Sequence, residues 1–276
     1  MVVIENHEPI DTISGYLFTH LNQLEQWQDS LHHICNDLLL KGTILLAPEG
    51  INVNLAGKKK SIDIFLETIQ SSKEFADIEF KRAAAAEIPY RRLWVKVKDE
   101  IIAVGKKFQD LTQGKEKRIS PQELKQWYQE NRDFHILDTR NQFELGFGTF
   151  ENSIDLGLRT FGQFPQKVKE TGLDKDIPIV VFCTGGIRCE KAAPIMVAQG
   201  FKHVYQLHGG ILNYFQECGD DFYQGECFVF DQRISVDKTL AATGAKQCEK
   251  CEAPVPREQW ENSDLCSSCG RHYFNK

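Results

Sequence analysis

Residues Ile179-Val-Val-Phe-Cys183-Thr-Gly-Gly-Ile-Arg188-Cys189-Glu-Lys-Ala-Ala constrain the fold more than any other stretch of the chain. Four apolar residues run without alternation, so both faces of that strand must be covered. A cysteine ends the strand, a loop with two glycines follows, and a helical pattern begins. Strand, loop and helix in that order build the crossover unit of a parallel sheet. The surroundings repeat the theme. His135-Ile-Leu-Asp138 and Val204-Tyr-Gln-Leu207 read as strands, and Gln142 to Leu145 and Glu190 to Gln199 as helices. The central part of the chain is expected to be an α/β domain with a parallel sheet covered on both faces.

In open sheets of this kind, sites form at the carboxyl ends of strands, where Cys183 stands. The loop after it leads into a helix N-terminus, whose N–H groups and dipole favour an anion. Gly185 and Gly186 let the backbone curl, so that the amides along Thr184, Gly185, Gly186 and Ile187 converge. That field favours thiolate over thiol at Cys183 and makes it a nucleophile at neutral pH. Arg188 offers charge and a two-pronged fork for an oxyanion. The bland alternative, a packed cysteine before an ordinary turn, leaves the two glycines and the arginine unexplained. Cys189 is read as a small packed residue. Its alternative role is to resolve an oxidised Cys183 as a disulfide.

With Leu137-Asp138-Thr-Arg140 before it and His208-Gly209-Gly210-Ile after it, this loop resembles that of a rhodanese domain, over residues 125–222. The resemblance implies that Cys183 carries a persulfide sulfur and that Asp138 and Arg140 support the loop. Arginine stands fifth after the cysteine, as in rhodaneses, rather than sixth, as in related phosphatases. One amide nest would serve both the thiolate and the anionic terminal sulfur of the persulfide.

The first hundred residues read β-α-β-β-α-β. Gly15 to Thr19 is a short strand, and Leu24, Trp27, Leu31, Ile34, Cys35 and Leu38 follow helical spacing. Gly42 to Ala47 and the alternating Ile51, Val53 and Leu55 form a hairpin about Pro48-Glu49-Gly50. Ile62, Phe65, Leu66 and Ile69 mark a second helix, before strands at Ile78 to Lys81 and Leu93 to Val97. This order suggests a ferredoxin-like (acylphosphatase-like) sandwich over residues 1–105, an antiparallel sheet with two helices on one face. Residues 106–124 read as a polar linker that closes on the helix-start signal Ser120-Pro-Gln-Glu.

Residues 223–276 form a small cysteine-rich tail. Cys248-x2-Cys251, fourteen residues and Cys266-x2-Cys269 have the spacing of a four-thiolate site that suits structural Zn²⁺. Metal would supply much of the folding energy of so small a segment. Iron–sulfur, disulfides or a metal-free tail are the alternatives, and the four cysteines need no help from His272. Cys218 and Cys227 lack metal spacing and read as packed or exposed thiols.

The net charge of −6 over 276 residues excludes a polycation. It hides a basic middle, however. Residues 58–118 hold fifteen bases against ten acids, between acidic blocks. Lys58-Lys59-Lys60, Arg91-Arg92 and Lys96 belong to this block. By themselves they read as solvated surface.

Four motifs occur together and in order: Ala47-Pro-Glu-Gly50-Ile-Asn-Val-Asn-Leu-Ala-Gly57, Arg92-Leu-Trp-Val-Lys-Val-Lys with Ile101-Ile-Ala-Val-Gly105, Cys183 to Lys191, and Gly225-Glu-Cys-Phe-Val-Phe-Asp231-Gln-Arg233. On these the chain resembles the bacterial tRNA uridine hydroxylase family, over nearly its whole length. The resemblance implies oxygen-dependent 5-hydroxylation of wobble uridine 34, with molecular oxygen as co-substrate, tRNA as partner and Cys183 as the family's rhodanese cysteine. No two-His-one-carboxylate, flavin or dinucleotide motif is visible. A tRNA partner gives the basic block a role. Lys58, Lys59, Lys60, Arg91, Arg92 and Lys96 become candidate phosphate contacts. Tyr90 and Trp94 become candidate stacking residues, although Trp94, in an apolar strand, reads first as core.

The N-terminus lacks a signal-peptide layout and no apolar run spans a bilayer. The expected home is the cytoplasm, where cysteines serve catalysis and metals more than disulfides. Two further functions compete with tRNA modification. A plain sulfurtransferase would pass the Cys183 persulfide from a sulfur donor to a small-molecule or protein acceptor. A non-catalytic module would recruit partners through its zinc unit, but needs no activated thiolate.

Overall fold

The computed structural model describes residues 8–105 and 117–273. The chain divides into two compact units, Met1–Ala103 and Val104–Lys276.

The first unit contains β1 (Ile10–Phe18), α1 (Leu24–Asp37), β2 (Lys41–Ala47), β3 (Gly50–Lys58), α2 (Lys59–Gln70), β4 (Glu79–Ala85) and β5 (Leu93–Val97). The sheet order is β4-β1-β3-β2-β5. The first four strands are antiparallel neighbours, as expected of a ferredoxin-like sandwich. The fifth departs from that expectation: β5 lies parallel to β2. The β4–β5 connection carries the chain across the sheet to the far edge, and no hairpin signal marks the change of direction.

Alternation decides which face is buried. Ile13, Ile44, Leu46, Ile51, Val53, Leu55 and Val95 share one core with Leu31 and Cys35 of α1 and Ile62, Phe65 and Ile69 of α2. Phe65 is fully buried, and truncating such a ring to alanine costs about 3–5 kcal/mol. The side chains between those strand positions form the opposite face. Arg82 reaches from β4 to Asp63 on α2 at 2.6 Å, and its Nε meets Asp11 at 2.5 Å.

The second unit begins with β6 (Lys117–Ile119), α3 (Pro121–Gln129), β7 (His135–Asp138), α4 (Gln142–Leu145), β8 (Gly148–Phe150) and β9 (Ile154–Asp155). It continues with α5 (Phe164–Glu170), β10 (Ile179–Phe182), α6 (Cys189–Ala198), β11 (Val204–Leu207) and α7 (Gly210–Cys218). The sheet order is β6-β11-β10-β7-β9, and every neighbouring pair is parallel. The apolar run of β10 is thus the central strand, buried at all four residues.

Of the expected linker 106–124, residues 106–116 lie outside the described residues. Lys117–Ile119 is instead the edge strand of the sheet, and α3 starts at Pro121. An edge strand of three residues with only Ile119 buried has no alternation to read. Ser120 caps α3, its hydroxyl accepting from the Glu123 amide at 3.1 Å.

The chain closes with β12 (Tyr223–Gly225) on β8, the pair β13 (Cys227–Phe228) and β14 (Ser235–Val236), the pair β15 (Lys246–Gln247) and β16 (Pro254–Val255), and α8 (Arg257–Asn262). Among the described residues, no helix is long and apolar enough to cross a membrane.

Candidate functional site

β10 delivers Cys183 to the carboxyl edge of the sheet, and the loop to α6 wraps around its sulfur. The Gly186 amide donates to Cys183 Sγ at 3.1 Å. Gly186 curls the loop with φ of 100°. α7 seals it from behind: the Ile211 and Leu212 amides donate to the carbonyls of Cys183 and Thr184 at 3.0 and 3.1 Å. Gly210 makes this approach possible. A Cβ there would stand 2.4 Å from the Cys183 carbonyl oxygen, and its φ is +66°.

Cys183 is fully buried. Burial by itself would push its thiol up. A hydrogen bond from Cys189, the Arg188 charge, and the backbone N–H groups of Arg188 and Gly186 outweigh that and bring the pKa down to about 5. Burial, and then the neighbouring Cys183 sulfur, hold Cys189 well above its ordinary value. The two cysteines therefore divide the labour: Cys189 keeps its proton and donates it toward a Cys183 thiolate.

Arg188 differs from the expectation in one respect. Its fork is occupied: Nη1 and Nη2 donate to the two carboxylate oxygens of Glu144 at 2.6 and 2.7 Å. Glu144 also accepts from the Asn141 amide at 3.0 Å in the capping box of α4. The arginine acts on Cys183 through its charge and its backbone, with its prongs held by Glu144. Sequence reading missed Glu144; its one trace was the Asn141-x-x-Glu144 capping pattern.

Asp138 and Arg140 lie at the end of β7, fully buried and paired at 2.6 Å. Arg140 also donates to the Gly148 carbonyl at 2.7 Å, and Thr149 donates to Asp138 at 2.8 Å. Between them, Thr139 ties its hydroxyl to the Phe182 carbonyl at 2.8 Å, immediately before the nucleophile. Neither Asp138 nor Arg140 bonds Cys183; they anchor the neighbouring strand end. Asp231 and Arg233 repeat the clamp atom for atom, with Nη2 to Oδ2 again at 2.6 Å.

A second residue escaped the sequence reading. Phe230 is 64% exposed. Its ring centre lies 5.9 Å from the Arg188 guanidinium carbon, and it packs edge-on against Phe228. An exposed aromatic beside the Arg188 guanidinium offers a flat face to a planar ligand. Its signal was its place in the Gly225–Arg233 motif.

The four C-terminal cysteines converge as expected. Their sulfurs lie within 4.8 Å of one another, with Cys248–Cys269 at 4.0 Å and Cys251–Cys266 at 3.7 Å. Tetrahedral Zn–S bonds of about 2.3 Å would set sulfurs roughly 3.8 Å apart, so the donor set fits a metal of that kind. Val255, Tyr273 and Trp260 pack around it. His272 is bridged to Leu265 and is not part of the cluster.

The basic block is divided. Lys58 pairs with Glu8 at 2.5 Å and Lys59 with Asp63 at 3.6 Å, while Lys60, Arg91 and Arg92 are exposed. Trp94 is not core: it is 47% exposed, with Lys96 Nζ 4.3 Å from its ring centre. Tyr90 is half-buried. Cys227 is buried and Cys218 half-buried.

Two family models match the chain: the UPF0176 acylphosphatase like domain at residues 10–101 and the Rhodanese-like domain at residues 120–217. A protein of Cupriavidus pinatubonensis named tRNA uridine(34) hydroxylase is 42% identical over 275 residues, 95% of this chain and 98% of its own. A protein of Ralstonia nicotianae with the same name is 41% identical over 276 residues, covering 95% and 97%. One of Burkholderia thailandensis, again so named, is 41% identical over 256 residues, covering 89% and 86%. With relatives matched from end to end across both units, the chain belongs to the tRNA uridine(34) hydroxylase family.

Proposed function

We propose that the protein hydroxylates carbon 5 of wobble uridine 34 in tRNA, using molecular oxygen and a two-electron reductant that carries the second oxygen atom off as water, with Cys183 as its reactive centre. The observation that carries this reading is the Cys183 thiolate cradle in a chain alike, end to end, to proteins named tRNA uridine(34) hydroxylase. Cys183 is the nucleophile, and a persulfide formed there would keep its terminal sulfur among the same amides. Gly186 and the Arg188 backbone donate to the sulfur. Thr184, Gly185 and Ile187 complete the loop, and Asp138 and Arg140 hold its base. Phe230 is the surface on which the uracil ring stacks. Lys60, Arg91, Arg92 and Lys96 meet phosphates, and Lys58 and Lys59 join them by exchanging their carboxylate partners for RNA. Zinc fits the four-cysteine cluster and, when bound, supplies structure rather than chemistry, since four thiolates leave no open position. The protein works in the cytoplasm, with its tRNA.

Sulfur transfer is the second reading, favoured by the same amide-held thiolate. Nucleoside analysis of tRNA from a strain lacking the gene, complemented with wild type or Cys183→Ser, separates the two. Hydroxyuridine-derived nucleosides should vanish and return only with the cysteine form. Normal nucleosides in the deletion strain, with thiosulfate-dependent sulfur transfer by the pure protein, would replace hydroxylation with sulfur transfer.

A further inference from the structure

The face of the first sheet that turns away from α1 and α2 has an unusual composition. A solvated sheet face ordinarily carries polar side chains. Here the register lays out two rows across all five strands. One reads Lys81, Ser14, Asn54, Thr43, Trp94; the other reads Glu79, Tyr16, Asn52, Leu45, Lys96. Trp94 is 47% exposed, while Tyr16, Asn52, Asn54 and Lys96 are half-buried and open to solvent. Phe18 adjoins Tyr16 edge-on at 6.1 Å.

Asparagine is depleted in strands, yet two occupy the central strand side by side. Asn54 Nδ2 donates to Asn52 Oδ1 at 3.1 Å. That bond orients the Asn52 amide nitrogen and the Asn54 amide oxygen as a donor beside an acceptor. Every nucleobase presents an acceptor beside a donor on its pairing edge, so the pair can hold an unstacked base of any kind. Cations stand at both margins of the face, Lys81 on β4 in the row next to exposed Glu79, and Lys96 on β5, with exposed Arg92 two residues before Trp94. Aromatic rings inside a basic margin suit a single strand, whose bases stack on the rings while its phosphates meet the cations. A duplex keeps its bases stacked on one another and would leave the rings unused. A protein partner would meet two lysines and two amides in the middle of its interface, where charge is depleted.

We propose that this helix-free sheet face is a platform for single-stranded RNA. Trp94 and Tyr16 are its stacking surfaces, Asn52 and Asn54 grip a base edge, and Lys81, Lys96 and Arg92 contact phosphates. The proposal rests on the tRNA reading above only for which RNA is bound. There, the RNA is the anticodon loop of the tRNA.

The test is fluorescence anisotropy of the full-length protein with a labelled anticodon stem-loop, a labelled oligouridine and a blunt RNA duplex, at two salt concentrations. Trp94→Ala should weaken both single-stranded probes about tenfold and leave the salt slope unchanged. Lys96→Glu should weaken them and flatten the slope, while Trp94→Phe should restore most of the affinity. Leu39→Ser, at an exposed residue in the turn after α1, serves as control. Equal affinities for wild type and both variants, with melting temperatures unchanged, overturn the platform but leave the tRNA reading standing. Tight oligouridine binding that needs Trp94, without hydroxylation of tRNA, keeps the platform and removes that reading. No binding of any single strand overturns the platform. So does a Trp94-dependent dimer in sedimentation with RNA affinity untouched.

Discussion

Arg188 is held from the front by Glu144: both terminal nitrogens of the guanidinium meet the two carboxylate oxygens, at 2.6 and 2.7 Å. The carboxylate is fully buried and the arginine nearly so. Removing one partner of such a pair strands the other charge, at a cost of about 3–5 kcal/mol. Glu144→Ala should lower the denaturation midpoint accordingly, and Glu144→Gln, which keeps an acceptor, should lower it less. A midpoint within error of wild type for Glu144→Ala would show that the pair does not hold the loop.

The thiolate at Cys183 makes its reactivity a function of pH. With a pKa of about 5, the sulfur is half ionised there and almost wholly ionised at neutrality. Alkylation of the Cys183 peptide, followed by mass spectrometry, should rise through a midpoint near pH 5 and level off above about pH 7. Cys189→Ala removes a hydrogen bond to the ionised form, so the midpoint should move to higher pH. An unmoved midpoint would return Cys189 to a packing role.

Gly210 is the point where α7 touches the cradle. Gly210→Ala forces a Cβ into the Cys183 carbonyl oxygen at 2.4 Å and into the Thr184 oxygen at 2.7 Å. The expected result is a folded protein with the Cys183 alkylation midpoint raised toward that of a free thiol, about 8.5. A wild-type pH profile in this variant would mean that the loop tolerates displacement.

Phe230 carries little of the fold, because most of its ring is in solvent. Phe230→Ala should leave stability within about 0.5 kcal/mol, raise KM for tRNA and be rescued largely by Phe230→Tyr. Unchanged kinetics would remove the ring from the substrate's path.

The C-terminal cluster makes a metal prediction with its own reporter. Trp260 packs beside the sulfurs and donates to the Gly244 carbonyl at 2.9 Å, and Lys246 Nζ lies 3.5 Å from its ring centre. Protein purified without added zinc should hold one metal per chain. Chelation should shift Trp260 fluorescence and unfold this segment, and Zn²⁺ should reverse both. Substoichiometric metal with four titratable thiols would refute the site.

Legibility followed locality. The Cys183 loop, the Ser120 cap and the paired cysteine knuckles are written within a few residues of sequence, where spacing translates directly into geometry. Glu144 and Arg188 are 44 residues apart, and a lone glutamate carries no mark of which cation it will meet. Lys117–Ile119 reads as linker because an edge strand tolerates Lys117 and Arg118. Trp94 reads as core from sequence because Leu93, Val95 and Val97 surround it. The register of β5 decides otherwise: Val95 pairs with core Ile44, which puts those three toward the helices and turns Trp94 and Lys96 the other way.

Asp138 and Arg140 are two positions apart, as are Asp231 and Arg233, and each pair closes on itself. A clamp of that reach needs almost no chain to be gathered in, whereas joining Glu144 to Arg188 must first draw a long loop closed. The order of assembly follows. The charged lock on the cradle forms only when the sheet is complete. An incompletely folded chain would thus lack the ionised sulfur, so an alkylation midpoint near pH 5 at Cys183 is itself a sign that folding has finished.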